Sequence, residues 1–348
     1  MRIAIANDMA LAVESLRRIL QGSGLHEIAW IARDGAEAVK RCSEDRPDLI
    51  LMDLIMPVMN GAQATRQIMT DTPCPILVVT SSVGGNADMV FEAMGAGALD
   101  AVRTPILAQQ GEQGAAGLLA KIATIEKLTR PISMRRWSTK IGETNVGHEN
   151  DCKLLVIGSS TGGPRALATI LSAFPSDFSA GIVIIQHVDS QFASELATWL
   201  NEQSRLQVRI ARNGDRPEPG AALIAGTNDH LIVDAYHRLS YSEEPRELVY
   251  RPSVDVFFES VAARWKKEVV GVLLTGMGRD GGMGLLRLRE KGCHTIAEHQ
   301  STCAVYGMPK TAVQLNAAVE VLPVTEIAGS LLRIFGHSAD TGKRGLMI

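Results

Sequence analysis

Apolar runs of strand length alternate with helically spaced apolar residues through about the first 120 positions. Ile3 to Ala6 is a short apolar run, and Leu11 to Leu20 places apolar residues at helical spacing. Ile28 to Ala32 predicts a second strand and Gly35 to Cys42 a second helix. Leu49 to Met52 predicts a third strand, ending at Asp53. Ile76 to Val79 predicts a fourth, ending at Thr80, and Ala98 to Val102 a fifth, ending at Thr104-Pro105. This alternation implies an α/β domain with a parallel sheet, of the size of a flavodoxin-like doubly wound fold.

The pattern breaks after a helix expected over Leu118 to Leu128. From Arg130 to Glu149 neither helical nor strand periodicity holds, so residues 121–151 read as a linker whose basic and aromatic positions suit packing on a domain. The alternation resumes at Lys153. Leu154 to Ile157 predicts a strand, followed by a glycine-rich turn and a helix from about Pro164. Ile182 to Ile185 leads to His187, and Val270 to Leu274 leads to Thr275-Gly276. Between them, Ala221 to Val233 and Leu239 to Tyr250 predict short strands in a meander or hairpin. The division expected is 1–120, 121–151 and 152–345, with the last segment a second doubly wound parallel-sheet domain.

Composition excludes several classes. The 348 residues carry 35 basic and 38 acidic side chains, a net charge of −3, which argues against a nucleic-acid-coating protein. No apolar run approaches the ~20 residues of a bilayer span, and the N-terminus is not a signal peptide, so a cytoplasmic location is expected. Five scattered cysteines with no CxxC pair read as reduced thiols.

Gly158-Ser159-Ser160-Thr161-Gly162 fits the G-x-S-x-G pattern between a strand and a helix. Such a turn exposes a serine where the helix N-terminus offers N–H groups to a developing oxyanion. Alone, it also fits a phosphate-binding turn or a plain tight connection. His187 ends the next strand, and neighbouring strands are only ~4.8 Å apart, so serine and histidine can sit side by side. Asp280 follows a third strand in Thr275-Gly276-Met277-Gly278-Arg279-Asp280 and can hold the His187 ring in the tautomer that accepts the serine proton. Loop N–H groups, Met277 first, can supply an oxyanion hole. Individually, His187 also suits a strand cap and Asp280 a helix cap.

Together Gly158 to Gly163, Gln186-His187, Arg251 to Asp255, Leu274 to Gly281 and Tyr306-Gly307-Met308-Pro309 resemble the catalytic domain of the chemotaxis receptor methylesterases, over residues 152–335. The resemblance implies Ser160, His187 and Asp280 as the catalytic triad and Met277 as oxyanion donor. It also implies a histidine-orienting role for Thr161. The activity implied is hydrolysis of glutamate γ-methyl esters on chemoreceptor helices, with deamidation of certain glutamines, and no esterase cofactor.

Asp8, Asp53 and Thr80 fall at the ends of three strands of the first domain, and Asp53 is followed by Met56-Pro57-Val58-Met59-Asn60-Gly61. Two carboxylates at one sheet edge can bind Mg²⁺, and one of them can attack a phosphoryl group. This segment resembles a response-regulator receiver. That implies Asp53 as phosphoacceptor, Asp8 and Asp53 as Mg²⁺ ligands, Thr80 as switch residue and a histidine kinase as phosphodonor. Asn7 stands where the family usually has an acid, Thr104 where it has lysine, and Ala101 at a commonly aromatic position. Arg103 is expected to point to the opposite face from Thr104. The combination resembles the methylesterases of surface-sensing (Wsp-type) chemosensory systems. Two other function classes are a phospho-switched adaptor with an inert hydrolase domain and a carboxylesterase of small metabolites. The second is disfavoured by 4% aromatics and no evident lid.

Overall fold

A computed structural model describes residues 1–81, 87–105, 107–129 and 152–336. Most of the predicted linker, 130–151, lies outside them, as do residues 337–348.

The first domain runs β1 (Arg2–Ala6), α1 (Ala10–Gly22), β2 (Glu27–Ala32), α2 (Gly35–Glu44), β3 (Leu49–Met52), α3 (Gly61–Asp71), β4 (Ile76–Thr80), α4 (Ala87–Gly95), β5 (Asp100–Arg103) and α5 (Leu107–Thr129). Its strands pair in parallel in the order β2-β1-β3-β4-β5. Side chains alternate across each strand. Ile3, Ile5, Leu49 and Leu51 therefore pack with α1 and α5, while Ala4, Ala6, Ile50 and Met52 pack with α2, α3 and α4. The helix expected over 118–128 is the second half of α5.

The second domain contains β6 (Lys153–Ser159), α6 (Gly163–Leu171), β7 (Ala180–Gln186), α7 (Ser190–Glu202), β8 (Gln207–Ile210), β9 (Ala221–Ile224), β10 (His230–Val233), β11 (Leu239–Ser242), α8 (Val254–Arg264), β12 (Val269–Leu273), α9 (Gly282–Glu290), β13 (His294–Glu298), α10 (Met308–Gln314), β14 (Glu320–Leu322) and α11 (Val324–Ile334). Seven strands form a parallel sheet in the order β14-β13-β12-β6-β7-β9-β8. The expected meander is only partly realised. β10 and β11 form an antiparallel hairpin, but Ala221–Ile224 joins the main sheet beside β7, where Ala222, Leu223 and Ile224 are buried.

The domains meet through α4, which packs on α6 and α7. One cluster of buried apolar side chains runs from Phe91 and Met94 into Leu167 and Leu196. The Phe91 and Trp199 rings lie 5.5 Å apart between centroids. Lys121 of α5 pairs with Asp100 of its own domain at 2.5 Å and with Asp189 of the other at 3.3 Å. Among the described residues no helix is long and apolar enough to cross a membrane.

Candidate active site

The sheet order makes β6 the centre of the site. β7 lies on one side of it and β12 on the other, both parallel to it, so their carboxyl ends share one edge. Ser160 follows β6, His187 follows β7, and Asp280 lies in the loop between β12 and α9.

The turn that carries Ser160 is fixed from several directions. The Ser160 N–H donates to Thr275 O at 3.0 Å, and the Thr275 hydroxyl donates to Thr161 O at 2.9 Å. Gly162 adopts φ +82° as the N-cap of α6, a left-handed conformation that favours glycine. Gln186 ties the Ser160 turn to His187. Its Nε2 donates to the carbonyls of both Ser160 and His187 at 2.9 Å, while its Oε1 accepts from the Ser159 hydroxyl at 2.7 Å.

His187 and Asp280 are joined through the imidazole Nε2 and Asp280 Oδ2, 2.8 Å apart. The other ring nitrogen, Nδ1, is buried and has no hydrogen-bond partner among the described residues. Ser160 reaches the adjacent strand end, but no hydrogen bond joins its hydroxyl to His187 here. Catalytic contacts of this kind often close only when substrate binds. Thr161 lies beside Ser160 and is held by its carbonyl; its hydroxyl makes no hydrogen bond to His187. The N–H of Met277 donates to no group among the described residues and is available to an oxyanion.

Asp280 sits against the N-terminus of α8. Its Oδ1 accepts from the Ser253 hydroxyl at 2.7 Å and the Asp255 N–H at 3.2 Å, and its Oδ2 from the Val254 N–H at 2.7 Å. Burial raises its pKa. The hydrogen bond and charge of His187, with the Ser253 and Val254 bonds, outweigh that and hold the carboxyl below its usual range. Ser253 is also the N-cap of α8, accepting from Val256 N at 3.3 Å. The neighbouring Asp255 carboxyl is pushed well up by burial and by the charge of Asp280.

Sequence reasoning missed Gln186, Ser253 and Tyr250 as parts of the site. For Ser253 the signal was a serine directly before a helical apolar run. Tyr250 stacks on the His187 ring and carried no signal beyond its place next to Arg251.

In the first domain, Asp53 follows β3, Asp8 follows β1 and Thr80 closes β4, three neighbouring strands. Asp53 is 8% exposed and accepts from Leu54 N at 2.8 Å. Burial lifts its pKa to about 6; the Leu54 N–H opposes this and the Asp8 charge adds to it. Uncompensated acid of this kind suits a hard divalent cation with oxygen ligands. The Asn7 amide oxygen is engaged by Met9 N at 2.8 Å. Thr104 is buried and its N–H donates to Thr80 O at 2.9 Å, whereas Arg103 is exposed, as strand alternation requires.

A serine, a histidine–aspartate pair and an unpaired loop amide at one sheet edge are the arrangement of a serine hydrolase, here joined to an aspartate-bearing doubly wound domain. Residues 155–331 match the family described as CheB methylesterase, and residues 3–115 match the response regulator receiver domain. The chain belongs to the CheB methylesterase family. It is 51% identical to protein-glutamate methylesterase/protein-glutamine glutaminase 1 of Bordetella avium, over 98% of this chain and 99% of that one. It is likewise 51% identical to protein-glutamate methylesterase/protein-glutamine glutaminase 3 of Pseudomonas aeruginosa, over 96% and 100%. The crystal structure of the Thermotoga maritima CheB methylesterase catalytic domain aligns at TM-score 0.50 and 37% identity, covering 53% of this chain and 99% of that one.

Proposed function

We propose that this chain hydrolyses glutamate γ-methyl esters on chemoreceptor-type signalling proteins, and deamidates glutamines there, through Ser160, His187 and Asp280. Ser160 Oγ attacks the side-chain carbonyl carbon while His187 takes its proton. The oxyanion is held by loop amides, Met277 among them. His187 then returns the proton to the leaving methoxide or amide nitrogen, releasing methanol or ammonia. Water, activated by the same imidazole, resolves the acyl-enzyme to a glutamate carboxylate. Asp280 holds the imidazole by its Nε2 and stabilises the imidazolium. The observation that carries this reading is the His187–Asp280 pair at 2.8 Å on the strand ends flanking the Ser160 turn.

In the receiver, Asp53 takes a phosphoryl group from a histidine kinase. Asp8 and Asp53 would hold Mg²⁺, which neutralises charge on the transferring group when bound. The buried, elevated Asp53 carboxyl supports that assignment. Thr80 senses the phosphorylated state. The chain acts in the cytoplasm, with a receiver over 1–120, a linker over 121–151 and a catalytic domain over 152–345. The Wsp-type placement rests on Asn7, Thr104 and Ala101.

The test is methanol release from a methylated receptor signalling domain. Wild type should release it and Ser160→Ala should not. Activity within a few-fold of wild type in Ser160→Ala removes the nucleophile assignment.

A further inference from the structure

The segment before α8 wraps the far side of the histidine–aspartate pair. Ser253 and Val254 reach Asp280, and three residues earlier Tyr250 lies flat on His187. The two ring centroids are 4.1 Å apart and the planes differ by 12°. The Tyr250 hydroxyl continues past the imidazole and donates to Met277 O at 2.8 Å. One side chain therefore touches both His187 and Met277, whose N–H is unpaired among the described residues. The loop is built around it: Gly278 adopts φ +86°, and a Cβ there would collide with the Tyr250 hydroxyl. The segment is anchored next door, where Arg251 pairs with Asp229 at 3.0 Å. Burial and the Asp280 charge push the phenol above its usual range, so the hydroxyl stays a donor.

We infer that Tyr250 is a positioning residue for the esterase reaction, setting the plane of the His187 ring by stacking and the Met277 backbone by hydrogen bonding. Both contacts act through other residues of the site, His187 and Met277. The ring leaves the imidazole rotation about its Cβ–Cγ bond restricted while Asp280 holds Nε2, so Nδ1 keeps one direction. The hydroxyl holds the Met277 carbonyl, in the peptide unit that follows the Met277 N–H, and so restrains the loop on one side of that amide. Misplacement of a reacting group by about 1 Å is enough for a hundredfold loss in rate.

This inference rests on the triad reading, and the test separates the two. Full-length Tyr250→Phe, Tyr250→Leu and Ser160→Ala are assayed for methanol release from a methylated receptor signalling domain, with melting temperature measured alongside. Phe keeps the stack and loses the hydrogen bond, so kcat should fall about tenfold with KM within about twofold, as for one lost hydrogen bond. Leu loses both, and kcat should fall about a hundredfold. Phe thus restores about tenfold relative to Leu. Melting temperatures should stay within a few degrees, because Tyr250 is only half-buried. The inference is overturned if Leu keeps kcat within a few-fold of wild type. It is also overturned if the losses appear in KM, or if they track a fall in melting temperature. Should Leu fail to fold, Phe decides: an unchanged kcat overturns the hydrogen-bond role. Activity retained by Ser160→Ala overturns the triad itself, whatever Tyr250 does.

Discussion

Replacing Asp53 by Asn should stabilise the receiver at neutral pH while abolishing its phosphorylation. The Asp53 carboxyl is buried beside Asp8, and its pKa rises from an ordinary 3.8 to about 6. A carboxyl raised in this way contributes stability that is fully present below the unfolded value and lost as pH climbs through the folded one. At pH 8 the ionised group therefore destabilises the domain. One pKa unit is worth about 1.4 kcal/mol, so the penalty has an upper bound of about 3 kcal/mol. Asn keeps an oxygen to accept the Leu54 N–H and carries no charge against Asp8. Amide hydrogen exchange of peptides from β3 and β4 reports the receiver separately from the catalytic domain. Protection should be greater in Asp53→Asn by about 2–3 kcal/mol at pH 8, and by about half that at pH 5. Mg²⁺ should stabilise wild type at pH 8 and leave the variant unchanged. An advantage of equal size at pH 8 and pH 5, or no advantage at pH 8, refutes the account of a crowded, ionised pocket.

Four further outcomes are expected. His187→Ala and Asp280→Ala should each remove most esterase activity in folded protein, and combining either with Ser160→Ala should add little, as steady-state kinetics will read. Ser253→Ala should lower catalytic-domain stability by about 1–3 kcal/mol in denaturant titrations, from a lost helix cap and a lost bond to a carboxylate. Because the Asp280 pKa is depressed, its stabilisation is present above about 3.8 and lost as pH falls through the lower folded value; the variant should show less of that acid dependence. Trp199→Ala, which removes the ring facing Phe91, should weaken the contact between the domains and raise amide hydrogen exchange of α4 peptides, an aromatic pair being worth about 0.5–1.5 kcal/mol beyond its area. Thr104→Lys should lengthen the phosphoryl lifetime on Asp53, since a charge-assisted hydrogen bond contributes about 1.5–3 kcal/mol; acid-labile phosphate measures it, and an unchanged lifetime shows that Thr104 costs the phosphoryl group no contact.

Strand ends were the most legible part of this chain. Asp53, Thr80, Ser160 and His187 each terminate an apolar run, and a parallel sheet delivers such positions to one edge with no further information needed. Asp280 was legible through its glycine-rich loop. The contacts that hold these residues were less so, because they depend on partners distant in sequence. Asp280 meets Ser253 across 27 positions and Ser159 meets Gln186 across the same separation. Ala221–Ile224 misled for a related reason: four apolar residues cannot announce whether they join a hairpin or the main sheet, and the partner β7 lies about forty residues back. The histidine-orienting role expected for Thr161 came from resemblance, whereas the ring contact in this structure is made by Tyr250.

The contact between the two domains joins opposite ends of two helices. Met94, in the last turn of α4, offers its carbonyl to the N–H of Gly162, which caps α6, at 3.0 Å. A helix carries partial negative charge at its C-terminus and partial positive charge at its N-terminus, so this head-to-tail arrangement is attractive and directional. Gly162 stands two positions after Ser160, and the receiver is thus fastened to the turn that carries Ser160. At its other end α4 begins at Ala87, seven positions after Thr80, the last residue of β4. A shift of α4 by a single helical turn, about 5.4 Å, exceeds the reach of any N–H···O bond and would release Gly162.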